Sequence, residues 1–266
     1  MTTLKSTYFF RRWCLRLLHV SFILVLVSCN THSNGQEEQN GDDGVDSNGF
    51  VDLFAGGTLD NWEGNPAYWR IENGVLIGET TASTPPLENN TFLTWKGGKL
   101  GDFELKAEFR ITKKGNSGIN YRSESVTDVP FALKGYQADI DGMNHYTGQN
   151  YEERKRTTLA YRGEQAVIEP SEDATVENNA WTARRIESSL GSSDSLKTLI
   201  KSEDWNEIHI IAKGNRLQHY INGVLMSDVT DKDEKNFMAS GLLGVQIHVG
   251  PPMKVEYRSF RVKQVD

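Results

Sequence analysis

The chain has 266 residues, with 36 acidic against 29 basic side chains, a net charge of −7 and a pI near 5.5. That balance excludes nucleic acid as a partner, because a phosphate backbone is held by a basic stripe that displaces its counterions. The two cysteines, Cys14 and Cys29, both precede residue 30, so the chain from residue 30 onward has no disulfide, thiolate metal site or Cys nucleophile and must be held by its own core.

Lys5, Arg11, Arg12 and Arg16 lead into the apolar run Leu17–Val27, then Ser28 and Cys29. A cationic start, a short apolar run and a small residue before the cut describe an export signal; a bilayer span needs roughly 20 apolar residues. Leu26-Val27-Ser28-Cys29 resembles the bacterial lipobox, after which the Cys becomes the lipid-modified first residue. Residues 1–28 are therefore expected to be a signal peptide and Cys29 the lipidation site. The protein is expected in the cell envelope, on the periplasmic face or the cell surface of the outer membrane, and to meet the membrane only through the lipid. Residues 29–49 carry Gly, Asn and acids with almost nothing apolar, the composition of a flexible linker. In some bacteria an acidic run there is also a surface-export signal.

From Phe50 the chain is a series of short alternating runs divided by Gly, Asn and Asp. Trp69–Ile77 sets Asn73-Gly74 between two short strands, a hairpin signal because both residues tolerate positive φ. In Phe103–Ile111, Phe103, Leu105, Ala107, Phe109 and Ile111 make an apolar face and Glu104, Lys106, Glu108 and Arg110 a charged one. Strands are expected over Gly118–Arg122 and Gly135–Asp141, with Thr157–Ile168 beside the latter. Ala180–Lys201, rich in Ser and charge, reads as a long insertion, a lid or mobile loop. Trp205–Lys213 and Arg216–Leu225 form a hairpin around Gly214-Asn215, with a second Asn-Gly at 222–223. Gly241–Val249 and Val255–Lys263 complete residues 50–266. No amphipathic helix of more than about ten residues is predicted, so the fold is all-β, a sandwich or jelly roll.

Several segments together resemble one family. They are Phe50–Phe54 with Leu59-Asp60-Asn61-Trp62, Trp69–Leu76, Asp102–Leu105 with Glu108-Phe109-Arg110, Gly115–Arg122, Trp205-Asn206-Glu207, Gly214–Leu217, Asn222-Gly223, Gly244–His248 and Tyr257–Lys263. Their order and spacing are similar to the 3-keto-disaccharide hydrolase domain. The resemblance spans Phe50 to about Gln264 and implies a concanavalin-like (laminin-G-like) jelly roll of two antiparallel sheets with a concave ligand face. It also implies an oligosaccharide or glycoside substrate, oxidised at C3 by a separate glycoside 3-dehydrogenase.

Period-2 geometry puts Gln137, Asp139 and Asp141 on one face of Gly135–Asp141. There they either orient sugar hydroxyls and serve as base and acid, or face solvent beside an Asp141-Gly142 turn. In the laminarinase and lichenase fold relatives a Glu-x-Asp-x-x-Glu pattern occupies a comparable strand. Gln137 stands at the nucleophile position, and an amide cannot form a glycosyl ester. Arg122 shares a strand face with Gly118 and Asn120. It is read either as an oxyanion partner or as a strand-face Arg paired with Glu108 or Glu124, and Gly118 would let a ligand approach. Gln246 and His248 alternate with Val245 and Ile247, so both leave the apolar side, and an imidazole there titrates near neutrality.

His145 and Tyr146 lie in the loop Gly142–Gly148 as a cap on a sugar, and Arg162 and Glu164 are cleft residues or a surface ion pair. Tyr146, Tyr161 and Trp181 are the stacking platforms. No His-x-His, His-Glu-x-x-His or EF-hand pattern occurs, so no cofactor is expected. A structural Ca²⁺ on Asp and backbone carbonyls is compatible with such a fold, but no motif marks it.

The enzyme reading takes Asp139, His248 and Arg122 as catalytic, with Gln137, Gln246, Glu108, Asn120, Asp141, His145, Tyr146, Arg162 and Glu164 around the substrate. The alternative is a carbohydrate-binding module that uses the same amides and aromatics without a perturbed carboxylate.

Overall fold

A computed structural model describes residues 45–170 and 184–265. The expected signal peptide, Cys29, most of the expected linker and Trp181 lie outside them. In chain order the strands are β1 (Val51–Asp52), β2 (Trp62–Glu63), β3 (Trp69–Glu72), β4 (Val75–Thr80), β5 (Thr91–Trp95) and β6 (Phe103–Ile111). Next come β7 (Asn116–Ser125), β8 (Leu133–Asp141), β9 (Asn150–Glu153), β10 (Thr157–Ala160), β11 (Glu164–Ile168) and β12 (Arg184–Ser189). After the short helix α1 (Ser193–Lys197) come β13 (Asn206–Lys213), β14 (Arg216–Ile221), β15 (Val224–Asp231), β16 (Leu242–Ile247) and β17 (Met253–Gln264).

They form two sheets. One is a ten-stranded sheet ordered β12-β11-β15-β14-β13-β6-β17-β4-β3, with β1 added on β17. The other is a seven-stranded sheet ordered β10-β9-β8-β7-β16-β5-β2. The sandwich arises directly from alternation. Along β6 burial alternates without a break, and all five inward residues are at most 5% exposed. Burying each large one contributes about 1.5–3 kcal/mol. Asn73-Gly74 and Asn222-Gly223 both take positive φ (52° and 74°; 51° and 78°), the twist that lets a two-residue turn match its strands.

Two expectations are corrected. Thr157–Ile168 does not run beside the Asp139 strand. It splits into β10, one strand removed from β8, and β11, which crosses to the other sheet and pairs in parallel with β15. Within Ala180–Lys201, residues 184–189 are an ordered edge strand paired with β11, and α1 anchors Leu196 in the core.

Between the sheets lies a polar centre. Arg156 is 1% exposed and bonds Glu152 at 2.6 Å, Asp231 at 2.6 Å and Asp233 at 3.2 Å. Tyr136 donates its hydroxyl to Asp231 at 2.6 Å. These contacts tie β8, β9 and β15 together at the end that carries the site.

Candidate functional site

On β8, Tyr136, Ala138 and Ile140 enter the core, which turns Gln137, Asp139 and Asp141 to the outer face of the seven-stranded sheet. Register sets their neighbours. Asp139 stands opposite Gly118, and Gln137 stands opposite Asn120 on one side and Tyr151 on the other. A cavity of about 430 Å³ opens over this face, lined by Gln137, Asp139, Tyr151, Glu153 and His248 with Tyr146 at its rim, and by Asn116, Gln149, Thr158 and Tyr161.

Asp139 is the centre of the arrangement. Its Oδ1 accepts from Gln137 Nε2 at 2.6 Å, and its Oδ2 accepts from Gln149 Nε2. Burial penalises its charged form and pushes the carboxyl up to about 7, against the pull of those two amides and with a further push from Glu153 and Asp141. Glu153 is also raised, again by burial. Asn90 donates to it at 3.0 Å, and Gln246 and His248 favour its ionised form. Burial, with Glu153 and Asp139 adding to it, holds the Tyr151 phenol protonated, its pKa pushed up to about 12. His248 Nδ1 lies 2.6 Å from the Val249 carbonyl. A carbonyl only accepts, so Nδ1 carries a hydrogen.

The expected residues separate into two groups. Gln137, Asp139, Tyr146 and His248 meet at the cavity, although His248 lies beyond β16, two strands from β8. Asn120 shares the face, fully buried, with neither amide atom partnered among the described residues. Gln246 is buried beside Glu153.

Arg122 does not join them. A bulge between Tyr121 and Glu124 breaks the strand parity, and Arg122 takes φ 45°. Its side chain turns inward instead, bonding Asp102 at 2.8 Å and the carbonyls of Gly101 (2.9 Å) and Gly214 (2.7 Å). Its guanidinium is committed there and is no oxyanion partner. Glu108 is on the ten-stranded sheet, paired with Arg258 at 2.9 Å.

Asp141 spends its carboxylate on the backbone N–H groups of His145, Tyr146 and Thr147, so it shapes the loop and does not face the cavity. His145 stacks edge-on to Tyr146, outside the cavity lining. Arg162 donates to the carbonyls of Thr147 and Ser193, and Glu164 accepts from the Tyr161 N–H and pairs with Arg184.

Gly118 serves a different end from the expected ligand approach. A Cβ there would lie 2.6 Å from Gln137 Cγ and 2.7 Å from its Cδ, so the bare backbone makes room for the Gln137 amide to reach Asp139.

Sequence reasoning missed Glu153, Gln149, Tyr151 and Asn90. Tyr151 and Glu153 do alternate on β9, but the strand is four residues long and comes after a loop, too short for periodicity to register. Among the described residues no group of three or more His, Cys, Asp or Glu side chains is placed to hold a metal ion.

Comparison with known proteins agrees with this architecture. The fold is similar to a candidate glycosyl hydrolase of Parabacteroides distasonis, at TM-score 0.53 and 14% identity over 81% of this chain and 99% of that one. It is also similar to a Bacillus subtilis protein of unknown function with a galectin-like fold, at TM-score 0.50 and 12% identity over 81% and 94%. In sequence, 88 residues are 31% identical to a 3-keto-disaccharide hydrolase of Bacteroides thetaiotaomicron; the match spans 31% of this chain and 30% of that protein. Residues 49–263 match a single family along their whole length, and the chain belongs to the 3-keto-alpha-glucoside-1,2-lyase-like domain family.

Proposed function

We propose that this domain cleaves glycosides whose sugar carries a ketone at C3. The observation that supports it best is Asp139, a buried carboxyl held by two carboxamides, with its proton affinity near neutral, facing a second carboxylate and an imidazole across one cavity. A ketone at C3 acidifies the C2 hydrogen. Asp139 takes that hydrogen as a proton, the C1–O bond breaks, and its electron pair leaves on the aglycone oxygen, which is protonated from the His248 and Glu153 side. Water then adds across the C1=C2 bond, hydroxyl to C1 and hydrogen to C2, so the sum is glycoside plus water to 3-keto sugar plus alcohol.

No nucleophile is needed, which suits Gln at 137. Tyr151, kept protonated by its surroundings, replaces Arg122 as the donor for the C3 oxygen. Gln137, which lines the cavity, holds a sugar hydroxyl, Asn120 and Gln246 lie buried behind the site, and Tyr146, 47% exposed, stacks on the ring.

Incubating the pure protein with a 3-keto-glucoside and with the unoxidised glucoside tests this: cleavage of the first alone is expected. Binding of both without cleavage would make it a carbohydrate-binding module, in which Tyr146→Ala would be the damaging change. Gly118→Ala is expected to push Gln137 off Asp139, to lower turnover about tenfold, the scale of one charge-assisted hydrogen bond, and to lower the melting temperature by a few degrees, because that buried bond is lost from the folded state. Supply of such a substrate requires an enzyme that oxidises glycosides at C3.

The lipobox-like Leu26–Cys29 supports placing the domain in the cell envelope on a lipid anchor. Cys29→Ala is expected to move the protein from the membrane to the soluble fraction with its fold intact; an unchanged membrane fraction would refute the anchor.

A further inference from the structure

His219 belongs to β14, in the ten-stranded sheet, and lies outside the cavity. Its ring nevertheless crosses the core to the seven-stranded sheet, where Nδ1 lies 3.1 Å from the Gln149 carbonyl and Nε2 lies 2.9 Å from the Tyr121 hydroxyl. The carbonyl fixes the hydrogen on Nδ1, and the Nε2 lone pair then takes the Tyr121 O–H. Burial pulls His219 down to about 4, so the ring is neutral at working pH and keeps that tautomer.

Gln149 is gripped on both sides. Its carbonyl also accepts from the Asp139 N–H at 3.4 Å, its side chain bonds Asp139 Oδ2, and the Gly148 N–H donates to the Asp139 carbonyl at 3.1 Å. A polar pair spanning the core of a sandwich costs desolvation that a Leu and a Phe would not. What the pair holds is the residue that leads into β9 and grips the Asp139 carboxylate.

We propose that His219, its tautomer fixed by the Gln149 carbonyl and its ring held in place by the Tyr121 hydroxyl, is a positioning residue that locks Gln149 against the Asp139 carboxylate. It depends on the reading of Asp139 as base only for its consequence for turnover.

Asp139 is also faced by Glu153 and Tyr151 from β9, by Asp141 on its own strand and, across the cavity, by His248, Tyr146 and Tyr161. Around His219 stand Tyr121 from β7, Asn150 from β9 and Asp228 from β15. Since the Gln149 amide favours the ionised carboxyl, releasing it should raise the pH at which Asp139 loses its proton.

The test titrates the Asp139 carboxyl directly, by carbon NMR of protein labelled at the aspartate side-chain carbons, with the signal assigned from Asp139→Asn. Gln149→Leu and His219→Leu should each raise the midpoint by about half to one pH unit, the scale of one lost donor. The double variant should move it no further. His219→Asn, which keeps an N–H near the place of Nδ1, should restore it, and Tyr121→Phe should shift it less in the same direction. A folded His219→Leu protein with an unmoved midpoint, or shifts that add in the double variant, would overturn the proposal. If His219→Leu fails to fold, an unmoved midpoint in Tyr121→Phe overturns it equally. The pH–rate profile on a 3-keto-glucoside then separates the two ideas: a shifted carboxyl with no turnover in any variant, wild type included, refutes the enzyme reading and leaves the positioning role standing.

Discussion

Asp139→Asn is expected to lower turnover of a 3-keto-glucoside by about 10²–10⁴-fold, the usual contribution of a positioned general base, while substrate affinity changes by no more than about 1–2 kcal/mol. The amide keeps the volume, its oxygen still accepts from one carboxamide, and its N–H2 calls for Gln137 to turn its unpartnered Oε1 inward, so the reacting group lost is the basic oxygen. Single-turnover kinetics with an equilibrium binding measurement resolve the two effects. Equal losses in both would make Asp139 a binding residue. The wild-type rate should carry the same signature in pH. A base must be ionised to act, so with the carboxyl raised to about 7 by burial, turnover should climb through neutral pH, and it should fall again at higher pH where the proton donor to the aglycone is lost.

Stability should run the other way. In the unfolded chain the Asp carboxyl ionises near its ordinary value of 3.8, whereas the folded protein holds the proton until about 7. Between these limits the folded state binds more protons, so stability falls as pH rises. Asp139→Asn removes that slope, and its melting temperature should gain on the wild type from pH 4 to pH 8. On the proposed reading, the site gives up stability at the pH where its base is ionised.

The contrast between Asp139 and Arg122 shows what the sequence can carry. Gln137 and Asp139 were legible because β8 is regular across them, so period-2 parity predicts their face without knowledge of the partner strand. The same parity put Arg122 on that face and failed, because the chain gains an unpaired residue between Tyr121 and Glu124 and Arg122 takes a left-handed backbone. A bulge reverses every parity inference beyond it, and nothing local in Tyr121-Arg122-Ser123 announces one.

Glu153 was hidden for another reason. It reaches the site only because β9 pairs with β8 and sets Gly135 opposite Glu153, a pairing between short strands that local pattern does not specify. β11 was misplaced likewise: Thr157–Ile168 reads as one continuous segment, yet the turn at residues 161–163 sends its second half to the other sheet. Gly163 takes φ 96° in that turn, where an added Cβ would meet the Gly191 carbonyl oxygen at 2.4 Å. Alternation fixed which residues are inside, while bulges, short edge strands and crossings decided which polar groups meet.

The other large effect lies beneath the site. Arg156→Met should destabilise the domain by about 3–5 kcal/mol, the cost of breaking a buried ion pair from one side, and lower the melting temperature by about 10 °C in a domain of this length. Burial works against the Arg156 charge, but Glu152 and Asp231 more than offset it and raise the guanidinium above its ordinary value. Without it, the carboxylates of Glu152, Asp231 and Asp233, each at most 2% exposed, are left close together with their main partner gone. Lys155, 3.5 Å from Glu152, reaches only the edge of the cluster. Two further results identify the cause. Acid should narrow the gap to the wild type, since protonation removes the orphaned charge. Glu152→Leu added to Arg156→Met should recover part of the loss, because one buried carboxylate fewer remains. Glu152 sits between Tyr151 and Glu153, so the same ion cluster fixes the strand that walls the cavity, and activity in Arg156→Met should fall at temperatures where the fold still holds. A loss below about 1 kcal/mol, indifferent to pH, would mean that the carboxylates find water or other partners and that the cluster does not hold β9 in place.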